Sequence, residues 1–480
     1  MRIRGIRLFA LCTIAACSAV MFSQNTASQG PAISAALREQ LQSVRDGALA
    51  SDYAWRELAH LTENIGPRPA GSPQAQGAAE YVADELRHLG LDVKLEPAQV
   101  SHWVRGEEQA RLVEYPGQAP GSTQRLVLTT LSGSSATPAE GITADVVVVH
   151  SFEELTALGR EKVAGKIVLY NVVYDEKKAL AGLAFEAYGE AVVYRGRGAN
   201  AAADLGAVAS LIRSVGGADY RLPHTGFSYP APIPHAALAA EDADLVEHLA
   251  AQGKVRMHLT LTPKSLGPAT GYNVVADLKG SEHPEQIVIV SGHLDSWDLG
   301  RGAIDDGQGV VEAMETAEVL QRLHIKPRRT LRVIAWMDEE NGGGGHDAYA
   351  KSHSAEMANH VAAIESDAGA GHPLGFALKM SPEALGILKP VSDVLRSVGA
   401  TSFRPIPFSP GSDIEPLVDA GVPGIGIMPD ARKYFDYHHT AADTLDKVDP
   451  QELRENAAAM AVMGYFLAAT PEPLPREHAK

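Results

Sequence analysis

The 480-residue sequence predicts an α/β fold: a mixed, mainly parallel sheet sandwiched by helices, interrupted by an inserted β-rich segment. Three observations carry this expectation. From residue 272 onward, short apolar runs alternate with amphipathic helical stretches, as in strands joined by crossover helices. Residues 101–268 differ in texture, with strand-like runs among Gly- and Ala-rich segments and dense proline over 223–234. Composition is ordinary for a globular chain, 45% hydrophobic and 21% charged, which excludes a disordered, collagen-like or coiled-coil protein.

The N-terminus stands apart. Arg2, Arg4 and Arg7 precede an uncharged apolar run over 8–22, and polar residues follow over 23–29. The run is short for a membrane span and reads as a secretory signal peptide over 1–23. Ile14-Ala15-Ala16-Cys17 resembles a bacterial lipobox, which would make Cys17 a lipid-anchored first residue. Cleavage of an ordinary signal would remove both cysteines, Cys12 and Cys17, and with them any disulfide, thiolate metal site or cysteine nucleophile. No later stretch reaches about 18 apolar residues, so no transmembrane helix is expected. The net charge of −17 argues against nucleic acid and anionic membrane surfaces as partners and serves solubility.

The elements follow in order. Ser72 caps a helix with Pro73 at its first position, Val82, Leu86 and Leu89 share one face, and Gly90 ends it. Residues 91–95 read as a strand, as do 144–149 and 166–170 within the inserted segment. Gly196-Arg197-Gly198 reads as a turn, too short for a phosphate loop. Strands are then expected over 272–278, 286–290, 331–337, 360–364 and 424–428, and helices over 309–323, 382–398 and 451–467. The expected organisation is a signal peptide over 1–23, the main domain over 31–100 and 269–470, and the insert over 101–268.

Ligands of such sheets bind beyond the carboxyl ends of the strands. The predicted strands are followed there by Ser291-Gly292-His293-Leu294-Asp295, Asp338-Glu339-Glu340, Glu365-Ser366-Asp367 and a loop reaching His438-His439. Asp305 and Asp306 lie between the first two, at a helix start. One acid before a helix is an ordinary cap. Several carboxylates at one edge would repel each other unless cations neutralised them. Imidazole and carboxylate without thiolate suit zinc or a similar divalent ion. Two ions would need a bridging carboxylate, and Asp305, flanked by Gly302 and Gly307, is well placed for it. Asp295, two residues from His293, can orient that imidazole. Of Glu339 and Glu340, one can bind metal while the other shuttles protons. Alternation does not choose between His438 and His439. Gly342 to Gly345 read as a flexible rim beside the metals.

As a set, these residues resemble the co-catalytic di-zinc aminopeptidase/carboxypeptidase family, and within it the plasma glutamate carboxypeptidase (carboxypeptidase Q) branch. The likeness centres on residues 291–298 and 302–307, with His102-Trp103-Val104-Arg105-Gly106 and Pro223-His224-Thr225-Gly226 as further points of similarity. It implies a zinc exopeptidase-like sheet carrying two Zn2+ per chain. His293 and Asp367 would hold one ion, Glu340 and His439 the other, and Asp305 would bridge them. The family's His-Thr/Ser-x-x-Asp pattern falls on His439 to Asp443 and so selects His439 over His438. Glu339 would be the general base and Asp295 an orienting acid. The insert resembles a protease-associated domain through residues 166–170 and 206–209.

The activity implied is that of an exported exopeptidase, periplasmic or secreted and lipid-anchored if Cys17 is modified. It would cleave dipeptides or short peptides through a metal-bridged hydroxide, and a homodimer is the candidate assembly. Two alternatives share the scaffold: a glutaminyl-cyclase-like transferase and a non-catalytic receptor. A receptor should have lost a ligand or the base, and all are present here.

Overall fold

The computed structural model describes residues 33–217 and 220–476. The signal peptide and lipobox readings, with Cys12 and Cys17, lie outside the described residues. Among the described residues no helix is long and apolar enough to cross a membrane.

Two eight-stranded sheets organise the chain. The central one runs in the spatial order Asp92–Val104, Lys264–Leu278, Arg329–Trp336, His283–His293, His360–Glu365, Gly424–Pro429, Pro373–Lys379, Ser402–Pro405. Its middle four strands are parallel and antiparallel pairings flank them, so the sheet is mixed and parallel where it matters for the site. The middle strands are apolar on both faces. Val288 and Val290 face the large core beneath the helix Gln308–Arg322, while Ile287 and Ile289 pack with Trp336, Tyr349 and Leu417 on the other side. Successive side chains point to opposite faces, and a helix-covered parallel sheet needs both to be apolar, so these strands are unbroken apolar runs. The helix Pro450–Ala469 is buried from Asn456 to Ala468 and packs against both Ala35–Leu49 and Gln308–Arg322. The helix Pro73–His88 starts as expected, with the Ser72 hydroxyl accepting from Ala75 N and Gly90 at φ +87° after its end.

All strands of the second sheet come from residues 108–261. The crossings lie further inside than the 101–268 expectation. Asp92–Val104 and Lys264–Leu278 are long strands of the central sheet, still paired at Trp103 with Ser265 and at Val104 with Lys264. Antiparallel pairing continues as long as both partners do, whatever their side chains, so a change in residue texture does not end a strand. The chain leaves at Gly106, whose φ is +75° and where a Cβ would collide with the Thr262 main chain. Glu107 and Thr262 exchange hydrogen bonds of 2.7 and 2.9 Å across the exit.

Two other expectations change. Gly196-Arg197-Gly198 is not a turn but lies inside the 21-residue helix Ala184–Asp204. The Ala-rich flanks carry the helix through, and Gly198 gives room for the Tyr170 ring, 2.9 Å from where its Cβ would stand. The helix expected over 382–398 is broken into short pieces around Lys389–Val391. Pro390 lacks the N–H that a continuous helix needs there.

Candidate metal centre

The predicted site residues meet at the carboxyl edge of the parallel strands. His293 ends the strand His283–His293, and Asp305 sits in the turn before the helix Gln308–Arg322. Glu339 and Glu340 follow Arg329–Trp336, Asp367 follows His360–Glu365, and His438 and His439 follow the short helix Tyr434–Tyr437. Each parallel strand thus delivers one or two donors to the same place.

Asp305 lies at the middle. Its Oδ1 is 3.2 Å from His293 Nε2, and its Oδ2 is 3.2 Å from His439 Nε2. Asp367 Oδ1 stands 3.6 Å from His293 Nε2 on one side. On the other, Glu340 Oε2 stands 3.1 Å from His439 Nε2. The two oxygens of one carboxylate therefore face two separate sets of donors. His293, Asp305, Glu340 and His439 are all buried.

The imidazoles are fixed from behind. His293 Nδ1 is 3.0 Å from the main-chain oxygen of Asp295, and His439 Nδ1 is 3.2 Å from that of Thr225. A ring nitrogen that donates to a carbonyl turns the lone pair of the other nitrogen toward the site. Buried Asp305 Oδ2, Glu340 Oε1 and Asp367 Oδ1 have no hydrogen-bond donor among the described residues. Lone pairs of imidazole and unpartnered carboxylate oxygens that face one another fit divalent cations. Without them, protons take up the role. Burial lowers the affinity of His293 for a proton, but Asp305 and Asp367 outweigh it and hold its pKa well above the usual imidazole value. His439 is raised in the same way by Glu340 and Asp305. Burial pushes Glu340 up to about 8.

The two adjacent glutamates diverge. Glu340 faces His439, whereas Glu339 Oε1 accepts a 2.5 Å hydrogen bond from the Ser412 hydroxyl. Burial raises the Glu339 pKa, so this carboxylate holds a proton more readily than one in water. His438 also approaches Asp305, at 3.5 Å, but it stacks on His439 with ring centroids 3.6 Å apart, and its Nδ1 has no partner among the described residues. Asp306 is spent structurally: its oxygens accept from His293 N, Gln308 Nε2 and Gly309 N.

Asp295 does not orient His293 through its side chain. The carboxylate is 3.9 Å from Nδ1 and instead accepts from the main-chain N–H groups of Asp338, Glu339 and Glu340. The separation of side chain and carbonyl on one residue lets Asp295 hold both the imidazole and the glutamate turn.

Sequence reasoning gave no role to four supporting residues. Arg68, fully buried, donates to the carbonyls of Gly66, Leu294, Arg301 and Gly302 and so pins the loop between His293 and Asp305. Its only sequence sign is its place between Pro67 and Pro69. Asp443, quoted above only as the end of a motif, accepts from Ala303 N and Ile304 N, both at 2.8 Å, and sets the approach of Asp305. Arg195 and Thr225 come from the segment that builds the second sheet and reach His439. The cavity over the site, about 370 Å³, is walled on that side by Tyr188, Arg195 and Phe227.

Comparison with known proteins gives one consistent result. Residues 273–463 match the family described as Peptidase family M28. The chain is 40% identical to carboxypeptidase Q of Xenopus laevis over 433 residues, covering 89% of this chain and 88% of that protein. It is 36% identical to carboxypeptidase Q of Homo sapiens over 488 residues, covering 98% of each. A peptidase M28 precursor from Shewanella amazonensis SB2B superposes with a TM-score of 0.86 at 35% identity, covering 92% of this chain and 99% of that one.

Proposed function

Because this chain belongs to peptidase family M28 and is carboxypeptidase Q-like, we propose that it is an exported di-zinc exopeptidase that hydrolyses dipeptides or short peptides. It is a metallo-exopeptidase, and zinc suits its donor set. The observation that carries the finer reading is the pair of Nε2 atoms, each backed by a carbonyl, facing buried carboxylate oxygens that have no other partner.

In this reading His293 and Asp367 would hold one ion and Glu340 and His439 the second, with Asp305 shared between the two sets of donors. Bound there, the ions supply Lewis acidity toward water and the scissile carbonyl oxygen. Glu339 takes a proton from the attacking water and returns it to the leaving amine. Ser412 occupies Oε1 of Glu339, which leaves Oε2 for that proton. Burial raises the Glu339 pKa, which favours its taking up the proton of the attacking water. Asp295 holds the 338–340 turn so that the base and the ligand Glu340 keep their separate directions.

Residues 108–261 form, in the same proposal, a protease-associated-like lobe that walls the substrate cavity and gives no metal ligand. Among the described residues, every group of His and acidic side chains close enough to hold an ion lies between His293 and His439. Export rests on the signal-like residues 1–23, with Cys17 as the candidate lipid anchor.

The test is a panel of unblocked and end-blocked dipeptides, assayed beside metal analysis of the purified protein. About two zinc ions per chain and cleavage of free-ended dipeptides are expected. Activity that survives in protein holding no divalent ion would overturn the reading.

A further inference from the structure

We infer that Arg105 is a positioning residue for the metal ligand His439, and that through it the segment of residues 108–261 is part of the metal centre as well as a wall beside it. The inference rests on the di-zinc reading above. Arg105 follows the strand Asp92–Val104 where the chain leaves the central sheet, and it is only 9% exposed. Its guanidinium holds both halves of the protein at once. Nε donates to Asp298 Oδ2 at 2.9 Å, and Nη2 donates to Oδ1 of the same carboxylate, on the loop between His293 and Asp305. Nη1 donates to Thr129 Oγ1 and Thr130 O, both at 2.5 Å, on the strand Leu128–Thr130 of the second sheet. Nη2 also donates to Thr225 Oγ1 at 3.1 Å.

Thr225 is where this grip meets the metal ligand. Its N–H donates to His439 O at 2.9 Å, and its own carbonyl lies 3.2 Å from His439 Nδ1. Its hydroxyl, anchored by Arg105, donates onward to Thr130 O at 3.2 Å. His439 needs such a frame. Its φ of +61° is left-handed, a conformation that a residue other than glycine keeps only where its surroundings impose it. A second path leads to the same ring. Trp297, next to Asp298, lies against His439 with ring centroids 5.6 Å apart, and against Trp103 at 6.2 Å. Arg105 Cζ stands 4.9 Å from the centre of the Trp103 ring. Thr225 and Trp297 thus both border His439, and Arg105 holds both, Thr225 by its hydroxyl and Trp297 through the neighbouring Asp298.

A bidentate arginine–carboxylate pair is directional, and low polarity around it strengthens it, so Arg105 fixes an angle as well as a distance between the loops that carry Asp298 and Thr225. Lysine supplies the charge without the fork. The consequence is linkage. An ion held by His439 and Glu340 favours the docked arrangement of the two sheets, and docking favours that ion by the same factor. His293 stands outside this frame, because its imidazole is tethered to the carbonyl of Asp295. The two ions should therefore respond differently to the loss of Arg105.

The test titrates zinc-free protein with zinc against a chromophoric chelator, comparing wild type with Arg105→Lys and Thr225→Val. Thr225→Val keeps the main chain that touches His439, is close in shape, and serves if the lysine variant does not fold. One uptake step, the one lost in His439→Ala, is expected to weaken about tenfold or more, while the other stays within about twofold of wild type. A fall in Arg105→Lys alone would route the effect through Asp298 and Trp297 and still supports Arg105. A fall in Thr225→Val alone, equal weakening of both steps, or no change in either variant would overturn it, because a loosened fold or an idle contact is not positioning. Exchange of the Thr225 amide hydrogen, bonded to His439 O, is read in the zinc-free protein and should be about tenfold faster in both variants. The zinc steps decide wherever zinc binds. If the protein takes up no divalent ion, the di-zinc reading fails and the exchange rate alone decides, faster exchange supporting Arg105 and unchanged exchange overturning it.

Discussion

His293 Nδ1 lies 3.0 Å from the main-chain oxygen of Asp295 and 3.9 Å from its carboxylate. The carboxylate turns away to collect the N–H groups of residues 338–340. One residue thereby couples the end of one strand to the turn after the next. Asp295→Ala should keep the imidazole tethered by the main chain while releasing the glutamate turn. Zinc affinity is expected to fall about 10–100-fold, as for other groups that support metal ligands. Competition with a chromophoric chelator measures it. Unchanged zinc affinity and activity would remove the coupling role.

Glu339 and Glu340 are proposed to separate base from ligand. Glu339→Gln should retain zinc and lose activity by about 10²–10⁴-fold, the usual worth of a general base. Glu340→Gln should lose zinc as well. Metal analysis beside steady-state kinetics distinguishes them, and the reverse pattern would exchange their roles.

His439, not His438, has Glu340 at 3.1 Å and a carbonyl behind its other nitrogen. His439→Ala should therefore lower zinc occupancy below that of wild type at a given chelator concentration. His438→Ala should be milder for metal, since His438 stands 3.5 Å from Asp305 and has no partner behind its Nδ1 among the described residues. Equal loss of metal in both variants would make the pair a joint ligand.

Glu312 gives a pH-dependent stability term. It is fully buried in the helix Gln308–Arg322, with neither carboxylate oxygen well hydrogen-bonded, although Ser366 offers a partial offset. Burial raises its pKa from 4.5 to about 8. Below 4.5 the carboxyl is protonated in both folded and unfolded chains, and the stability it permits is fully present. Between 4.5 and about 8 the unfolded chain ionises first, so that stability is lost as pH rises. Glu312→Gln should flatten the fall. In zinc-saturated protein its Tm should match wild type near pH 4.5 and exceed it by several degrees near pH 8. A Tm difference independent of pH would contradict this.

Much of this site is legible in one dimension. In a parallel α/β sheet, chemistry gathers at strand carboxyl ends, so His293, Asp305, Glu339, Glu340, Asp367 and the His438-His439 pair can be picked out by where they follow apolar runs. The two dry faces of the middle strands are equally visible as unbroken apolar runs, because burial on both sides demands them. Other features depend on partners distant in sequence. The pairing that carries Asp92–Val104 past residue 101 needs Lys264–Leu278, and the helix through Gly196 and Gly198 needs the Tyr170 ring. Arg68 and Arg195 look like any arginine until the chain brings carbonyls from remote loops around one and the metal cavity against the other. Spacing says that Asp295 is near His293, but only three-dimensional placement decides which of its oxygens does the holding. Side-chain direction follows from the donors that surround it, and at Asp295 those donors lie more than forty residues away, at 338–340.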